Sequence, residues 1–185
     1  MALTATMFHL QVALSDVDRG VYEALDLRLA QHPSETTRYM LTRALAYCLS
    51  YEEGIAFSKG GLSSAADPPI TVHDPTGLLL AWIDVGTPSA ERLHKASKAA
   101  PRVAVFTSTD MRVLRREAAT RPVHRLEEIE VWRVEAPFLD ALAERLDRHT
   151  KLELVRTDGH LYVTAGERMI EGAVTRCSLV AEEGD

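Results

Sequence analysis

The fold is decided by the stretch LLLAWIDVGTP at residues 78–88. Six consecutive apolar residues, 78–83, predict a strand that is covered on both faces and lies at the centre of a sheet. The strand should stop at Asp84-Val85-Gly86. Pro88 is typical of the first turn of a helix, which we expect to reach Ala100. A buried strand followed directly by a helix favours a sheet that is partly parallel.

Strand and helix patterns also alternate on both sides of this stretch. Short apolar runs predict the strands, while apolar residues at helical spacing predict the helices. Clusters of Gly, Pro, Ser and Asp mark the connections. The predicted elements are strands at 54–57, 103–106 and 129–134, helices at 111–119 and 136–146, a loop at 63–69 and a turn at 74–77.

The two ends of the chain show the two-residue period of half-buried strands. Alternation over 7–14 and again over 21–29, with a turn cluster between them, predicts a β-hairpin. A helix should follow, capped by Ser34, with Glu35 in its first turn. The last forty residues are typical of an antiparallel meander. The predicted class is α+β with a mixed sheet flanked by helices and antiparallel hairpins at both ends.

Composition is that of an ordinary globular protein. The chain has 185 residues, a formal net charge of −6 and 46% hydrophobic residues, which predicts one domain over residues 1–185. The negative charge argues against constitutive, non-specific binding to nucleic acid but leaves room for a local basic face. We expect a monomer, because the chain is compact in size and has no long apolar face.

Cysteine usage and the absence of a leader pattern favour the cytoplasm. Cys48 and Cys177 are far apart and form no CxxC pair, so we expect free thiols and no structural zinc. The N-terminus has neither the basic nor the apolar region of a signal peptide. The longest apolar run is six residues, too short for a membrane span.

Several common catalytic motifs are absent from the sequence. The seven histidines form no HxH, HExxH or HxxxH pair, which excludes the usual zinc hydrolase signatures. There is no GxSxG, no GxxxxGK[ST] and no GxGxxG. The serine hydrolase, P-loop and dinucleotide-binding classes therefore lack their local signature.

The candidate chemistry lies at the end of the central strand. An acid such as Asp84 is expensive at the end of a buried strand unless it is paired, hydrogen-bonded or bound to a cation. If the strand alternates, the side chain of Asp84 lies on the same face as that of Trp82. Asp84 could bind a ligand, cap the turn that follows, or pair with Arg92. Lys95 and Lys98 extend a basic strip from Arg92, which either contacts phosphate or is simply a solvated helix face.

Three segments carry a resemblance to a known family. They are His32-Pro33-Ser34-Glu35 with Arg38, Met40 and Arg43; Phe57-Ser58-Lys59-Gly60; and the long motif from Trp82 to Ala96, followed by Val103-x-Val105. Together they resemble the YaeQ family over almost the whole chain. That resemblance implies a fold similar to the PD-(D/E)XK nucleases, which have a restriction-endonuclease-like core of a mixed sheet flanked by helices.

The resemblance also implies site residues. In the nuclease superfamily, three acids hold Mg²⁺ and a lysine positions the attacking water. Carried onto this chain, Glu35, Asp67 and Asp84 become the ligands of Mg²⁺ or Mn²⁺, with Asp74 as the competitor of Asp67. Position 86, where the lysine usually stands, is Gly86. Lys95 is the substitute, with Lys59 and Lys98 as alternatives, and Arg92 and Lys98 would contact substrate phosphate.

Three hypotheses follow. The first is Mg²⁺-dependent hydrolysis of DNA or RNA; it requires convergence of the three acids and fails if Asp84 is buried against Arg92 with no access for a cation. The second is a catalytically inactive nuclease fold that binds nucleic acid, or serves as a transcription or translation accessory, through a basic or apolar surface patch. In the third the motif is structural, with Gly86 making a tight turn and Pro88 starting the helix.

Overall fold

The computed structural model describes residues 4–59 and 66–180. The chain forms two compact units. The terminal unit consists of Met1–Tyr51 and Val134–Thr175, and the central unit consists of Glu52–Arg133 and Arg176–Asp185. The prediction of one domain over 1–185 stays a prediction.

The described ranges contain ten strands and four α-helices. The strands are β1 Thr6–Asp16, β2 Val21–Gln31, β3 Ile55–Phe57, β4 Ile70–His73, β5 Leu79–Val85, β6 Arg102–Thr107, β7 Glu130–Val134, β8 His149–Thr157, β9 His160–Ala165 and β10 Arg168–Cys177. The helices are α1 Thr37–Leu49, α2 Ala90–Ala99, α3 Met111–Ala118 and α4 Ala136–Ala143. No helix within these ranges is long and apolar enough to cross a membrane.

The terminal unit is a sheet with helices on one face. Its strand order is β2-β1-β8-β9-β10. β1 is antiparallel to β2, as the hairpin prediction required, and β8, β9 and β10 form the predicted antiparallel meander. Alternate residues of β1 and β2, such as Leu10 and Leu27, are buried, and α1 packs beside β2 and α4. The parallel pairing of β1 with β8 was not predicted.

The start of α1 differs from the prediction. Thr36, not Ser34, is the N-cap, and its side chain accepts a hydrogen bond from the main-chain N–H of Tyr39. Glu35 therefore precedes the helix instead of lying in its first turn, and its own N–H donates to the carbonyl of His32. Serine is on average the somewhat better cap, but the Ser34 hydroxyl lies 2.6 Å from Nδ1 of His32, and Thr36 caps the helix instead.

The central unit contains the strand that decides the fold. Its order is β3-β4-β5-β6-β7, with β3, β4 and β5 antiparallel and β5, β6 and β7 parallel. Residues 81–85 of β5 are all buried, which confirms its predicted central position. Helices α2 and α3 contribute Leu93 and Leu114 to a core over these parallel strands. The fold is thus α+β with mixed pairing, as predicted; the nuclease-like core stays a prediction.

Candidate functional site

Asp84 lies near the carboxyl end of β5 and is only 3% exposed. Its side chain shares a face with Trp82, as the alternation predicted, and the indole Nε1–H donates to Oδ2 at 2.9 Å. Arg92 of α2 donates through Nε to Oδ2 at 2.7 Å and to Oδ1 at 2.9 Å. Both oxygens therefore accept hydrogen bonds from cationic or indole donors. A charge this deeply buried is tolerable only with such partners.

Arg92 and Lys95 connect this carboxylate to the chain before β4. Arg92 Nη2 donates to the carbonyl of Asp67 at 2.8 Å, and Lys95 Nζ donates to the carbonyl of Ala66 at 2.9 Å. Both cations also lie over the Trp82 ring, at 5.6 Å and 5.7 Å from its centroid. We call Trp82, Asp84, Arg92 and Lys95 the Asp84 cluster. Its two basic side chains bind main-chain carbonyls and an aromatic face, as structural cations do.

Local sequence explains how the cluster forms. Gly86 has φ +89°, a value that favours glycine, and its N–H donates to the carbonyl of Phe106 at 2.8 Å. This turns the chain sharply from β5 into α2, whose N-cap is Ser89. Arg92 and Lys95 then fall on one face at i, i+3 spacing. The exposed Lys98 lies in the last turn of α2 and takes no part in the cluster.

Glu35, the predicted helix acid, belongs to the terminal unit and has its own partners. Its side chain is fully buried and lies 3.1 Å from Nη2 of Arg43, which also donates to the carbonyl of Ala30. Its Oε2 accepts a hydrogen bond from the N–H of His32 at 3.1 Å. Burial raises the pKa of Glu35 above its ordinary value, against the opposing charge of Arg43.

The remaining predicted residues lie apart from any acidic cluster. The Asp74 carboxylate accepts from the N–H groups of Thr76 and Leu78, so it closes the turn before β5. Lys59 is exposed, and Asp67 approaches the Asp84 cluster through its main chain. Within residues 4–59 and 66–180, no group of three His, Cys, Asp or Glu side chains could hold a metal. Asp84 and Glu35 each face an arginine, and the Mg²⁺ site stays a prediction.

Comparison with known proteins tests the family resemblance directly. The family model described as YaeQ protein matches residues 1–174. This chain belongs to the YaeQ family. It is 29% identical over 177 residues to "Uncharacterized protein YaeQ" of Escherichia coli K12, covering 95% of this chain and 97% of that protein. Identity to the protein of the same description from Salmonella typhi is 30% over 178 residues, covering 95% and 97% of the two chains.

Two solved YaeQ structures share the fold of this YaeQ-family chain. The crystal structure from Xanthomonas axonopodis pv. citri matches with a TM-score of 0.84 and 27% identity, covering 95% of this chain and 99% of that chain. The crystal structure from Pseudomonas syringae matches with a TM-score of 0.82 and 30% identity, covering 97% and 98%. The family prediction is confirmed, and with it the bacterial kinship. The names of these relatives state no activity and no substrate.

A second cluster of the same chemistry, which sequence reasoning missed, lies in the central unit of this YaeQ-family protein. Glu130 of β7 accepts hydrogen bonds from Arg102 at 2.9 Å and 3.2 Å, and from Trp132 Nε1 at 3.3 Å. Arg176 lies 5.2 Å from the Trp132 ring centroid. Burial raises the pKa of Glu130, but the bonds and charge of Arg102 outweigh it, so the net shift is downward. The alternation Glu130-Val131-Trp132, which mirrors Trp82-Ile83-Asp84, was the available signal.

The terminal unit has a buried acid that the sequence did not reveal. Asp16, at the end of β1, is 0% exposed and lies 3.6 Å from Nη1 of Arg156 and 3.8 Å from Nη1 of Arg19. Burial raises the pKa of Asp16 despite these charges. No sequence pattern links Asp16 to Arg156, because the pairing of β1 with β8 is what brings them together.

Proposed function

We propose that this YaeQ-family protein is a catalytically inactive relative of the PD-(D/E)XK nucleases that binds nucleic acid through phosphate contacts, as an accessory module. One observation carries the proposal. Asp84, the acid with the strongest claim to a metal ion, is buried and engaged on both oxygens by Arg92. A carboxylate engaged in this way supports the inactive fold over the hydrolytic hypothesis.

Other acids support the same conclusion. Glu35 is paired with Arg43, and the Asp74 carboxylate closes a turn. A metal would have to displace an arginine from a desolvated carboxylate. The arginine would then lose its counter-charge, which is energetically costly in a buried site. Two of the three hypothesised metal ligands, Glu35 and Asp84, thus have an arginine as partner in place of a metal ion.

The partner class follows from the distribution of charge. Residues 86–133 carry ten Arg and Lys against six Asp and Glu, although the whole chain has a net charge of −6. Arg112, Arg116 and Arg133 are exposed. Arg112 is ion-paired with Asp110 at 2.8 Å, and its hydrogen bonds, with the charges of Arg112 and Arg133, lower the pKa of Asp110 to about 2. We call these three arginines, two on α3 and one on β7, the α3 basic face. Exposed guanidinium groups on one surface suit contacts with the phosphate backbone.

Binding to short single- and double-stranded DNA and RNA, followed by fluorescence anisotropy at low salt, tests the proposal. We expect the double variant Arg116→Ala/Arg133→Ala to weaken binding about tenfold, because two phosphate contacts are lost. Arg148→Ala/Arg168→Ala removes two exposed arginines from the terminal unit and serves as the matched control, with affinity unchanged. Equal loss in both double variants, or no binding by the wild type, contradicts the proposal.

A second candidate is Mg²⁺- or Mn²⁺-dependent hydrolysis of phosphodiesters. One observation favours it: Arg92 joins the Asp84 carboxylate to the main chain of Asp67, so one side chain holds two of the hypothesised ligands near each other. Calorimetry with Mn²⁺ on the wild type, Arg92→Gln and Asp84→Asn separates the candidates. Mn²⁺ binding that tightens in Arg92→Gln and vanishes in Asp84→Asn supports the metal site. If none of the three proteins gives a measurable heat of Mn²⁺ binding, the inactive fold is supported.

A further inference from the structure

The terminal unit ends in a long free strand edge. β2 is the last strand in its sheet, and within the described residues no strand pairs with its outer side. It is 11 residues long, whereas β3, at the free end of the order in the central unit, has three residues. Long exposed edges invite pairing with another chain, and proteins usually blunt them by keeping them short, bulged, charged or covered.

The hydrogen-bond pattern identifies which residues of β2 point outward. In β1, the N–H groups of His9 and Val17 donate to carbonyls of the β8 side, so the odd-numbered residues of β1 face β8 and the even-numbered ones face β2. Leu10 is opposite Leu27, so the odd-numbered residues of β2 are bonded to β1. The N–H and C=O groups of Ala24, Asp26, Arg28 and Ala30 therefore point away from the sheet.

The sequence of this edge is self-complementary. Residues 24–30 read ALDLRLA, which is the same in both directions about Leu27 except that Asp26 is matched by Arg28. An antiparallel copy related by a two-fold axis at Leu27 places Ala24 opposite Ala30 and Asp26 opposite Arg28. These are the four residues whose main-chain groups point outward. Each pair can exchange two main-chain hydrogen bonds while each carboxylate meets a guanidinium.

We propose that a second copy of this chain pairs with β2 along this edge, forming an isologous dimer. The charges single out the partner, because an unrelated strand has no reason to carry acid and base in this order. Asp26 and Arg28 are both exposed. Oδ1 of Asp26 already contacts Nε2 of His9 in its own copy, so the carboxylate meets the guanidinium of the second copy through Oδ2. Ala30 keeps one carbonyl lone pair for the second copy although Arg43 already donates to it. Leu25, Leu27 and Leu29 stay in the core of their own copy.

Sedimentation equilibrium gives the first test. The monomer has a mass of 20.5 kDa. We expect the weight-average mass to rise toward twice that value as concentration increases from about 5 to about 500 μM, by mass action. A mass that stays at the monomer value over this range overturns the proposal and favours the monomer that composition predicts.

Charge exchange gives the decisive test. Arg28→Asp sets two acids opposite each other, and Asp26→Arg sets two bases opposite each other, so each variant alone should dimerise at least about tenfold more weakly. Mixing the two variants restores complementary pairs and should restore dimers, as should the double variant Asp26→Arg/Arg28→Asp. Far-UV circular dichroism and thermal melting verify that each variant is folded.

A matched control uses a charge on the same sheet away from the edge. Lys151 is exposed on β8, an interior strand, so Lys151→Asp should leave the dimer constant unchanged. If Arg28→Asp and Asp26→Arg dimerise as well as the wild type, or if their mixture shows no recovery, the contact does not use this edge and the proposal is wrong.

Discussion

At the residue scale, burial decides what each ion pair contributes. Asp84 and Arg92 form a pair with side-chain exposures of 4% and 22%, whereas Arg38 and Asp140 form an equally short pair at 45% and 54%. The Coulomb attraction is strong in the first and screened by water in the second. The removal of one carboxylate charge should therefore have very different consequences at the two sites.

We predict that Asp84→Asn lowers the free energy of unfolding by about 3 kcal/mol, because Arg92 loses its counter-charge in a desolvated site. Asp140→Asn is the matched control and should cost less than about 1 kcal/mol. Urea unfolding of both variants measures the difference. Similar small losses in the two variants would show that the Asp84 carboxylate is not a structural charge, which would also remove the main support for an inactive fold.

The pH dependence of stability should carry the sign of each pKa shift. The pKa of Glu130 lies below its ordinary value of 4.5. The unfolded state therefore binds more protons than the folded state in the window below 4.5. Stability from this carboxylate is present above that window and is lost as pH falls through the folded pKa. The difference in unfolding free energy between wild type and Glu130→Gln should shrink on going from pH 6 to about pH 3.

Glu35 should behave in the opposite way, although it too is paired with an arginine. Its pKa is raised above 4.5 by burial. Its contribution is fully present below the ordinary pKa and is lost as pH rises through the folded value. The stability of the wild type relative to Glu35→Gln should therefore fall as pH rises from about 4 toward 7. Parallel pH trends in the two glutamine variants would contradict one of the two assignments.

At the element scale, the sequence predicted whatever depends on local periodicity and missed what depends on distant pairing. The apolar run at 78–83 located β5 and its central position, and the period of the first thirty residues located the hairpin. β4 was missed because Ile70–His73 has only four residues between two turn signals. For the site, Asp84 and Arg92 were found together since they are eight residues apart on a strand and the following helix. Arg156 and Arg102, which pair with Asp16 and Glu130, are distant from them in sequence.

The contact between α4 and β10 requires a residue without a side chain at position 172. A Cβ added to Gly172 in β10 would lie 2.4 Å from Cγ and 2.7 Å from Cβ of Phe138, a buried residue of α4. We predict that Gly172→Ala destabilises the protein by about 1–3 kcal/mol, because α4 must move away from the sheet. Adding Phe138→Leu should recover part of the loss. Thermal unfolding measures both variants, and additive losses in the double variant would mean that the two residues do not clash.

At the scale of the whole molecule, the overall charge and the local charge have opposite effects on binding to nucleic acid. The net charge of −6 opposes attraction to a polyanion, while residues 86–133 carry an excess of four basic residues over acidic ones. Only close contacts with phosphate can then give binding, and such contacts release counterions. Affinity should therefore depend steeply on salt and should be confined to the surface that includes the α3 basic face.

The slope of log K against log salt counts those contacts. If Arg112, Arg116 and Arg133 each neutralise one phosphate of a duplex, the wild-type slope should be about −2.7, at about −0.9 per contact. Arg116→Ala/Arg133→Ala should reduce its magnitude to about 0.9, whereas Arg148→Ala/Arg168→Ala should leave it unchanged. Anisotropy titrations with one duplex at four salt concentrations measure all three slopes. A slope that does not respond to Arg116→Ala/Arg133→Ala would remove nucleic-acid binding from this face, because counterion release cannot occur at residues that touch no phosphate.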